Sequence, residues 1–203
     1  MESRRSFRIL LIRHGVTVWN KEKRYLGHTD IPLCEAALRE LKPKTGFWST
    51  APVFSSGLQR CLRTAGLLWP KSPITIDERL REMDFGSWDG LTYEDLKEDS
   101  SYTRWLSDWM NIHPPSGETG VSFRARVNAF MEDLLKDEAG HCAAIVTHGG
   151  VIRSIISDLV PEKDFFEIPI PYGGGYELNL EKRGGQWQCS SLLEVPIQAK
   201  ENS

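Results

Sequence analysis

The chain has no long apolar run. Its longest candidates, Ile9 to Ile12 and Ala143 to Val146, have the length of strands, far short of the roughly 20 residues a membrane-spanning helix needs. Cysteine is scarce: Cys34, Cys61, Cys142 and Cys189 are the only four, and no two form a Cys-x-x-Cys pair. That spacing supports neither a zinc ribbon nor a thioredoxin-type redox site. Each cysteine sits among apolar neighbours, where a free thiol behaves as a small core residue. A charge excess is also missing. Lys and Arg total 25 against 28 Asp and Glu, a formal net charge of -3. The basic surplus of a general nucleic-acid binder is therefore absent, which leaves room for a local cationic pocket for a small anion. The first residues carry charge but neither the apolar stretch nor the small-residue cleavage site of a signal peptide. With unpaired cysteines, these features lead us to expect a cytoplasmic protein with no membrane and no nucleic-acid partner.

What is present is ordinary globular composition, 40% hydrophobic and 26% charged over 203 residues. No repeat, low-complexity tract or linker divides it, so a single domain over residues 1–203 is expected. Phe7 to Ile12 and Cys142 to Thr147 are near-continuous apolar runs, the pattern of strands buried on both faces. Pro52 to Ser55 and Ile74 to Ile76 read as two shorter strands. Tyr176 to Leu180 and Trp187 to Leu193 read as a late hairpin turning at Arg183-Gly184-Gly185. Helices are expected at Cys34 to Leu41, Leu58 to Trp69 and Val121 to Leu135, and from His148-Gly149-Gly150 through Leu159. Tyr93 to Trp109 reads as one or two more. Asn20 to Pro32 and Asp84 to Gly90 read as loops. The alternation predicts an α/β fold: a three-layer sandwich with a mostly parallel, mixed central sheet and helices on both faces.

Two segments share one grammar of buried strand, histidine and glycine: Ile12-Arg13-His14-Gly15 and Val146-Thr147-His148-Gly149. Ligands of open α/β sheets bind outside the carboxyl ends of the strands, so both histidines belong at one rim. Arg60, in Ser55-Ser56-Gly57-Leu58-Gln59-Arg60, stands at another strand-to-helix junction. Arg13 and Arg60 together suit an anion, because guanidinium forks match phosphate oxygens. From its local sequence alone, Arg60 reads as a solvated helix arginine.

Five ordered elements carry a resemblance. They are Arg13-His14-Gly15-Val16-Thr17-Val18-Trp19-Asn20; Gly27-His28-Thr29-Asp30-Ile31-Pro32-Leu33; Ser55-Ser56 through Arg60 to Thr64-Ala65; Leu80-Arg81-Glu82-Met83-Asp84-Phe85-Gly86 with Trp88 and Gly90; and Thr147-His148-Gly149-Gly150-Val151-Ile152-Arg153. In this order they resemble the histidine phosphatase superfamily, which includes phosphoglycerate mutases. The resemblance implies His14 as nucleophile, Glu82 as proton donor to the leaving oxygen, and Arg13, Arg60 and His148 around the phosphoryl group. Asn20 would support the phosphate, with a hydroxyl from Thr17 or Ser56. His28, Thr29 and Glu118 fall where the family contacts substrate or organises its pocket. For His28 a plain surface loop, and for Glu118 a helix cap, explain the residue as well. The resemblance implies no metal and no cofactor, and as partner a small-molecule phosphate monoester bound by a monomer or homodimer. Two departures stand out: Gly57, where the family often has proline, and Val16, where it often has glutamate or glutamine.

Few residues follow His148, and little tail is left to shield a phosphohistidine from water, which favours hydrolysis over mutase chemistry. Tyr102-x-x-Trp105-x-x-Asp108-Trp109, Pro114 to Glu118 and Phe123-x-x-Arg126-Val127 are similar to the bacterial α-ribazole phosphatase branch of cobalamin assembly. A phosphoric monoester hydrolase is thus expected. Broad-specificity sugar-phosphate or phosphoglycerate phosphatase, cofactor-dependent mutase and a non-catalytic phosphate-binding module stand as alternatives. Tyr102 to Pro115 is either an aromatic lid over the substrate or a helix face docked on the core.

Overall fold

The structure is a computed structural model and describes residues 6–136 and 141–196. Six strands form one sheet: β1 (Ser6–Arg13), β2 (Val53–Ser55), β3 (Ile74–Ile76), β4 (Cys142–Thr147), β5 (Gly175–Arg183) and β6 (Gln186–Val195), in the order β3-β2-β4-β1-β5-β6. The pairings β3–β2, β2–β4 and β4–β1 are parallel, whereas β1–β5 and β5–β6 are antiparallel. The helices are α1 (Val18–Lys21), α2 (Glu35–Glu40), α3 (Gln59–Leu68), α4 (Tyr93–Leu96), α5 (Ser100–Ser107), α6 (Gly120–Lys136) and α7 (Gly149–Leu159).

The period of two along β1 divides the core. Ile9 and Leu11, with Ala143, Ile145, Leu178 and Leu180, pack under Phe123, Val127 and Phe130 of α6 and Val151, Ile152 and Ile155 of α7. Leu10 and Ile12, with Val53, Ala144 and Val146, pack under Ala37 of α2 and Cys61, Ala65 and Leu68 of α3. This makes the three layers, and it explains why β1 reads as an unbroken apolar run: both of its faces are covered. Burying one such Ile or Leu contributes about 1.5–3 kcal/mol.

The sequence reading holds for the type of every main element and shifts at the ends. Leu58 and Trp69 flank α3 as caps rather than belonging to it. Tyr93 to Trp109 resolves into two helices, separated where the Asp99 side chain accepts from Ser101 N and caps α5. The loop Asn20 to Pro32 begins later than expected, because Thr17 caps the single turn of α1. Asp84 to Gly90 contains a 3-10 turn at Gly86–Trp88. None of the described helices is long and apolar enough to cross a membrane.

The aromatic stretch is core rather than lid at its two main positions. Tyr102 and Trp105 are buried and stack at 5.8 Å. Trp88 packs edge-on against both of them, and Tyr25 lies beside them with its hydroxyl against that of Tyr102. Trp109 packs instead on Phe165, with a centroid distance of 4.8 Å.

Candidate active site

The parallel strands β2, β4 and β1 end on one edge of the sheet. Register pairs Arg13 with Thr147 and Ser55 with Val146, so the residues that follow emerge side by side. His14 N donates to Thr147 O at 2.9 Å. The rings of His14 and His148 meet edge to face, 5.2 Å between centroids. Both histidines are buried.

His14 has a fixed tautomer. Its Nδ1 lies 2.7 Å from Gly15 O; a carbonyl only accepts, so Nδ1 carries the hydrogen and Nε2 keeps its lone pair. Burial pushes its pKa well below the usual 6.5, and the Arg60 and Arg13 charges push further the same way. The imidazole is therefore neutral, with its lone pair on Nε2. His148 is likewise driven well down, first by burial and then by Arg60. Its Nε2 meets Ser56 Oγ at 2.9 Å and Cys61 Sγ at 3.4 Å. Burial raises the Cys61 thiol to about 12, which holds it protonated against that ring.

Arg60 is fully buried, which disposes of the solvated-helix reading. Its Nη1 donates to Thr29 O at 2.8 Å and its Nη2 to Gly27 O at 2.6 Å. Arg13 donates through Nη1 to Ile170 O at 2.8 Å and lies 3.6 Å from the centroid of Tyr172, a cation–π contact. The Nε of both arginines is buried and makes no hydrogen bond among the described residues. Two buried arginine Nε donors at one rim suit an oxyanion.

Glu82 faces the same rim. Its Oε2 accepts from Gly150 N at 3.0 Å, in the first turn of α7, and its Oε1 from Met83 N at 3.0 Å. A Cβ on Gly150 would stand 2.3 Å from Glu82 Oε1, so only glycine admits the carboxylate there. The Glu82 charge acts to raise the pKa of Arg13 and of Arg60, against the burial that lowers both. Arg79 pairs instead with Asp77 and Asp133, and Arg81 with Glu78. Glu82 is thus free of the surface pairing its neighbours make.

The other expected residues stand one step back. Thr17 is buried and its hydroxyl donates to Asn20 Oδ1 at 2.9 Å, in a reciprocal cap of α1. The Thr17 hydroxyl hydrogen is thus committed inside the loop. Asn20 Oδ1 is held by that cap, which leaves the Nδ2 hydrogens as its remaining donors. His28 Nε2 donates to Glu82 O at 3.0 Å and its Nδ1 lies 3.6 Å from Asp84 Oδ2. It ties two loops together. Thr29 contributes its backbone, taking Arg60 Nη1 at its carbonyl and donating from N to Asp89 Oδ2 at 2.8 Å. Asp30 Oδ1 accepts from Gln59 N at 2.8 Å and so caps α3 from outside. Glu118 is engaged as well. Its carboxylate accepts from Arg126 and from Asp84 N at 2.9 Å, and it is Thr119 that caps α6, accepting from Ser122 N at 3.1 Å. The capping of α6 thus falls to Thr119, and Glu118 braces the Glu82 segment. His113 and His141 are exposed, away from this cluster.

Sequence reasoning passed over Tyr172, Asp89 and Cys61. Tyr172 lies among Pro169, Pro171 and Gly173 to Gly175, and that loop closes on the rim: Gly173 N donates to Arg13 O at 3.0 Å, and Arg13 N to Gly174 O at 2.8 Å. The clustered proline and glycine beside a tyrosine were the only available signal. Gly57 has φ +83, a conformation closed to proline. Among the described residues no group of three or more His, Cys, Asp or Glu could hold a metal ion. A cavity of about 540 Å³ lined by Met131, Leu135, Ile155, Leu159 and Trp187 lies between α6, α7 and the β5–β6 hairpin and includes none of these residues.

The chain is similar to several known proteins. The chain is 35% identical over 162 residues to the adenosylcobalamin/alpha-ribazole phosphatase of Salmonella typhimurium, covering 75% of this chain and 79% of that one. Its structure is similar to that of the alpha-ribazole phosphatase from Shigella flexneri, with a TM-score of 0.78 at 28% identity over 96% of this chain and 100% of that one. It is also similar to a phosphoglycerate mutase from Thermus thermophilus, with a TM-score of 0.70 at 32% identity over 95% and 100%. Residues 9–192 match the family model of the histidine phosphatase superfamily (branch 1), and the chain belongs to that superfamily.

Proposed function

We propose that the protein is a phosphomonoesterase that hydrolyses a small phosphate monoester through a phosphohistidine on His14. The observation that carries this reading is the neutral His14 ring, whose Nδ1–H donates to Gly15 O and so leaves the lone pair on Nε2, beside two arginines whose buried Nε donors make no hydrogen bond among the described residues. In the first step Nε2 forms a bond to phosphorus, the ester P–O bond breaks, and Glu82 gives its proton to the departing alkoxide. In the second, water attacks the phosphorus, Glu82 takes the proton back, and the P–N bond breaks to release phosphate. Charge on the transferred oxygens is met by Arg13, Arg60 and His148, donors already in place before reaction. Asn20 Nδ2 is a further donor to the same group.

α-Ribazole phosphate is the favoured natural substrate, because the Salmonella and Shigella relatives carry that activity in their names. Phosphoglycerates are the second group to test, given the Thermus relative. The deciding experiment is rapid-quench trapping with each ester. Wild-type protein should carry acid-labile, base-stable phosphate, His14→Ala none, and the variant should lack turnover while keeping its fold. Near-normal rates in His14→Ala would refute the covalent route. Release of a transferred rather than a free phosphate from phosphoglycerate would replace hydrolysis with mutase chemistry.

A further inference from the structure

We propose that Arg126 is a positioning residue for the Glu82 carboxyl. The inference rests on Glu82 as proton donor and goes beyond it by naming what sets that group's place. Arg126 projects from α6, and all five N–H donors of its guanidinium are engaged. Nη1 donates to Arg79 O at 2.7 Å and to Arg81 O at 2.6 Å. Nη2 donates to Glu82 O at 2.8 Å and to Glu118 Oε1 at 2.5 Å. Nε donates to Glu118 Oε2 at 3.1 Å.

The carbonyls of Arg81 and Glu82 belong to the two peptides that flank the Glu82 Cα. Fixing the first sets φ at Glu82, and fixing the second sets ψ. Arg126 holds both at once, and so fixes the direction in which the Glu82 side chain leaves the backbone. The segment needs such a device. Beyond the short 3-10 turn Glu78–Leu80 it belongs to no helix or strand, so no regular ladder holds its carbonyls. Two contacts complete the brace: His28 Nε2 reaches Glu82 O from the loop at 27–30, and Asp84 N reaches Glu118. The guanidinium itself lies 5.0 Å from the ring centroid of Phe123, a fully buried residue of α6. Glu82 is thereby referenced to the core rather than to its own loop.

The test is Arg126→Lys. It keeps the positive charge, which also acts on His148, and removes the planar fork that a lysine cannot reproduce. Glu82→Gln and the double variant are measured beside it, each with an alkyl phosphate and with p-nitrophenyl phosphate. An alkoxide needs the donated proton and a nitrophenolate needs it little. Glu82→Gln should slow the alkyl ester by about a hundred- to ten-thousand-fold and the aryl ester far less. A misplacement of about 1 Å costs on the order of a hundredfold, so Arg126→Lys should lower kcat for the alkyl ester by about 10- to 100-fold. Its KM, its inhibition by inorganic phosphate and its rate on the aryl ester should stay within about threefold. The double variant should be no slower on the alkyl ester than Glu82→Gln alone, because Arg126 acts through Glu82. If Glu82→Gln slows both esters equally, the proton-donor reading falls and this inference with it. If Glu82→Gln is selective but Arg126→Lys slows both esters alike, or the two losses multiply, the inference alone is overturned. Should Arg126→Lys fail to fold by circular dichroism, Glu118→Gln, which removes the charge anchoring the fork, is read by the same criterion: selective loss on the alkyl ester supports the proposal and equal loss overturns it.

Discussion

Lowering the pH should destabilise this protein through its two buried histidines, and the effect can be isolated at His14. The folded pKa values of His14 and His148 lie well below 6.5, chiefly from burial and next from the Arg60 charge. In the unfolded chain each imidazole takes up a proton below about pH 6.5; in the folded protein it does not. The unfolded state then binds more protons, so stability is fully present above pH 6.5 and is lost as the pH falls towards the folded value. The limiting slope is about 1.4 kcal/mol per pH unit for each histidine. Between pH 7 and pH 5 a ring that stays neutral in the fold accounts for at most about 2 kcal/mol, and both together for at most about 4 kcal/mol. That is a large part of the roughly 5–15 kcal/mol that holds a domain folded. Urea unfolding followed by tryptophan fluorescence at constant ionic strength measures it, in buffers free of phosphate, which would stabilise the fold by binding. His14→Gln removes one titrating group and leaves carboxylate contributions common to both proteins. The variant should lose less stability than wild type between pH 7 and pH 5, by up to about 2 kcal/mol. Equal losses in the two proteins, or a greater loss in the variant, would refute the assignment of a neutral, solvent-shielded nucleophile.

Two substitutions test the walls of the site. Gly150→Ala places a Cβ where Glu82 Oε1 now stands. The gain in helix propensity of up to about 1 kcal/mol and the loss of one charge-assisted hydrogen bond, about 1.5–3 kcal/mol, leave only a modest net destabilisation. Alkyl-ester turnover should nevertheless fall by at least about tenfold, as expected for a displaced proton donor; melting curves with kinetics check it, and near-normal turnover counts against the placement of Glu82. Tyr172→Leu removes the aromatic face on Arg13, a contact worth about 0.5–2 kcal/mol. Inhibition by inorganic phosphate should weaken by about 3- to 10-fold while Tyr172→Phe behaves as wild type, and unchanged inhibition in the Leu variant would show that Tyr172 does not orient Arg13.

Local sequence was enough to set the layered α/β architecture and to place both histidines at one rim. Two unbroken apolar strands, each closing in His-Gly, announce parallel neighbours buried on both faces, and strand polarity puts their ends on one edge. Helix ends were less legible. Leu58 and Trp69 are apolar enough to belong to α3, yet backbone geometry leaves both outside it. The contacts between loops distant in the chain had to come from the folded molecule. Arg60 reads locally as a surface residue, and its hydrogen bonds to the 27–29 loop hold it fully buried at the rim. Glu82 has arginines on either side in sequence, and its partner turns out to be Gly150 N, 68 positions away. Tyr102 and Trp105 could have covered a substrate, and packing against Trp88 and Tyr25 makes them core. Side-chain chemistry is a property of a residue, but exposure, tautomer and proton affinity are properties of its surroundings. Those surroundings come from segments that periodicity and spacing cannot bring together.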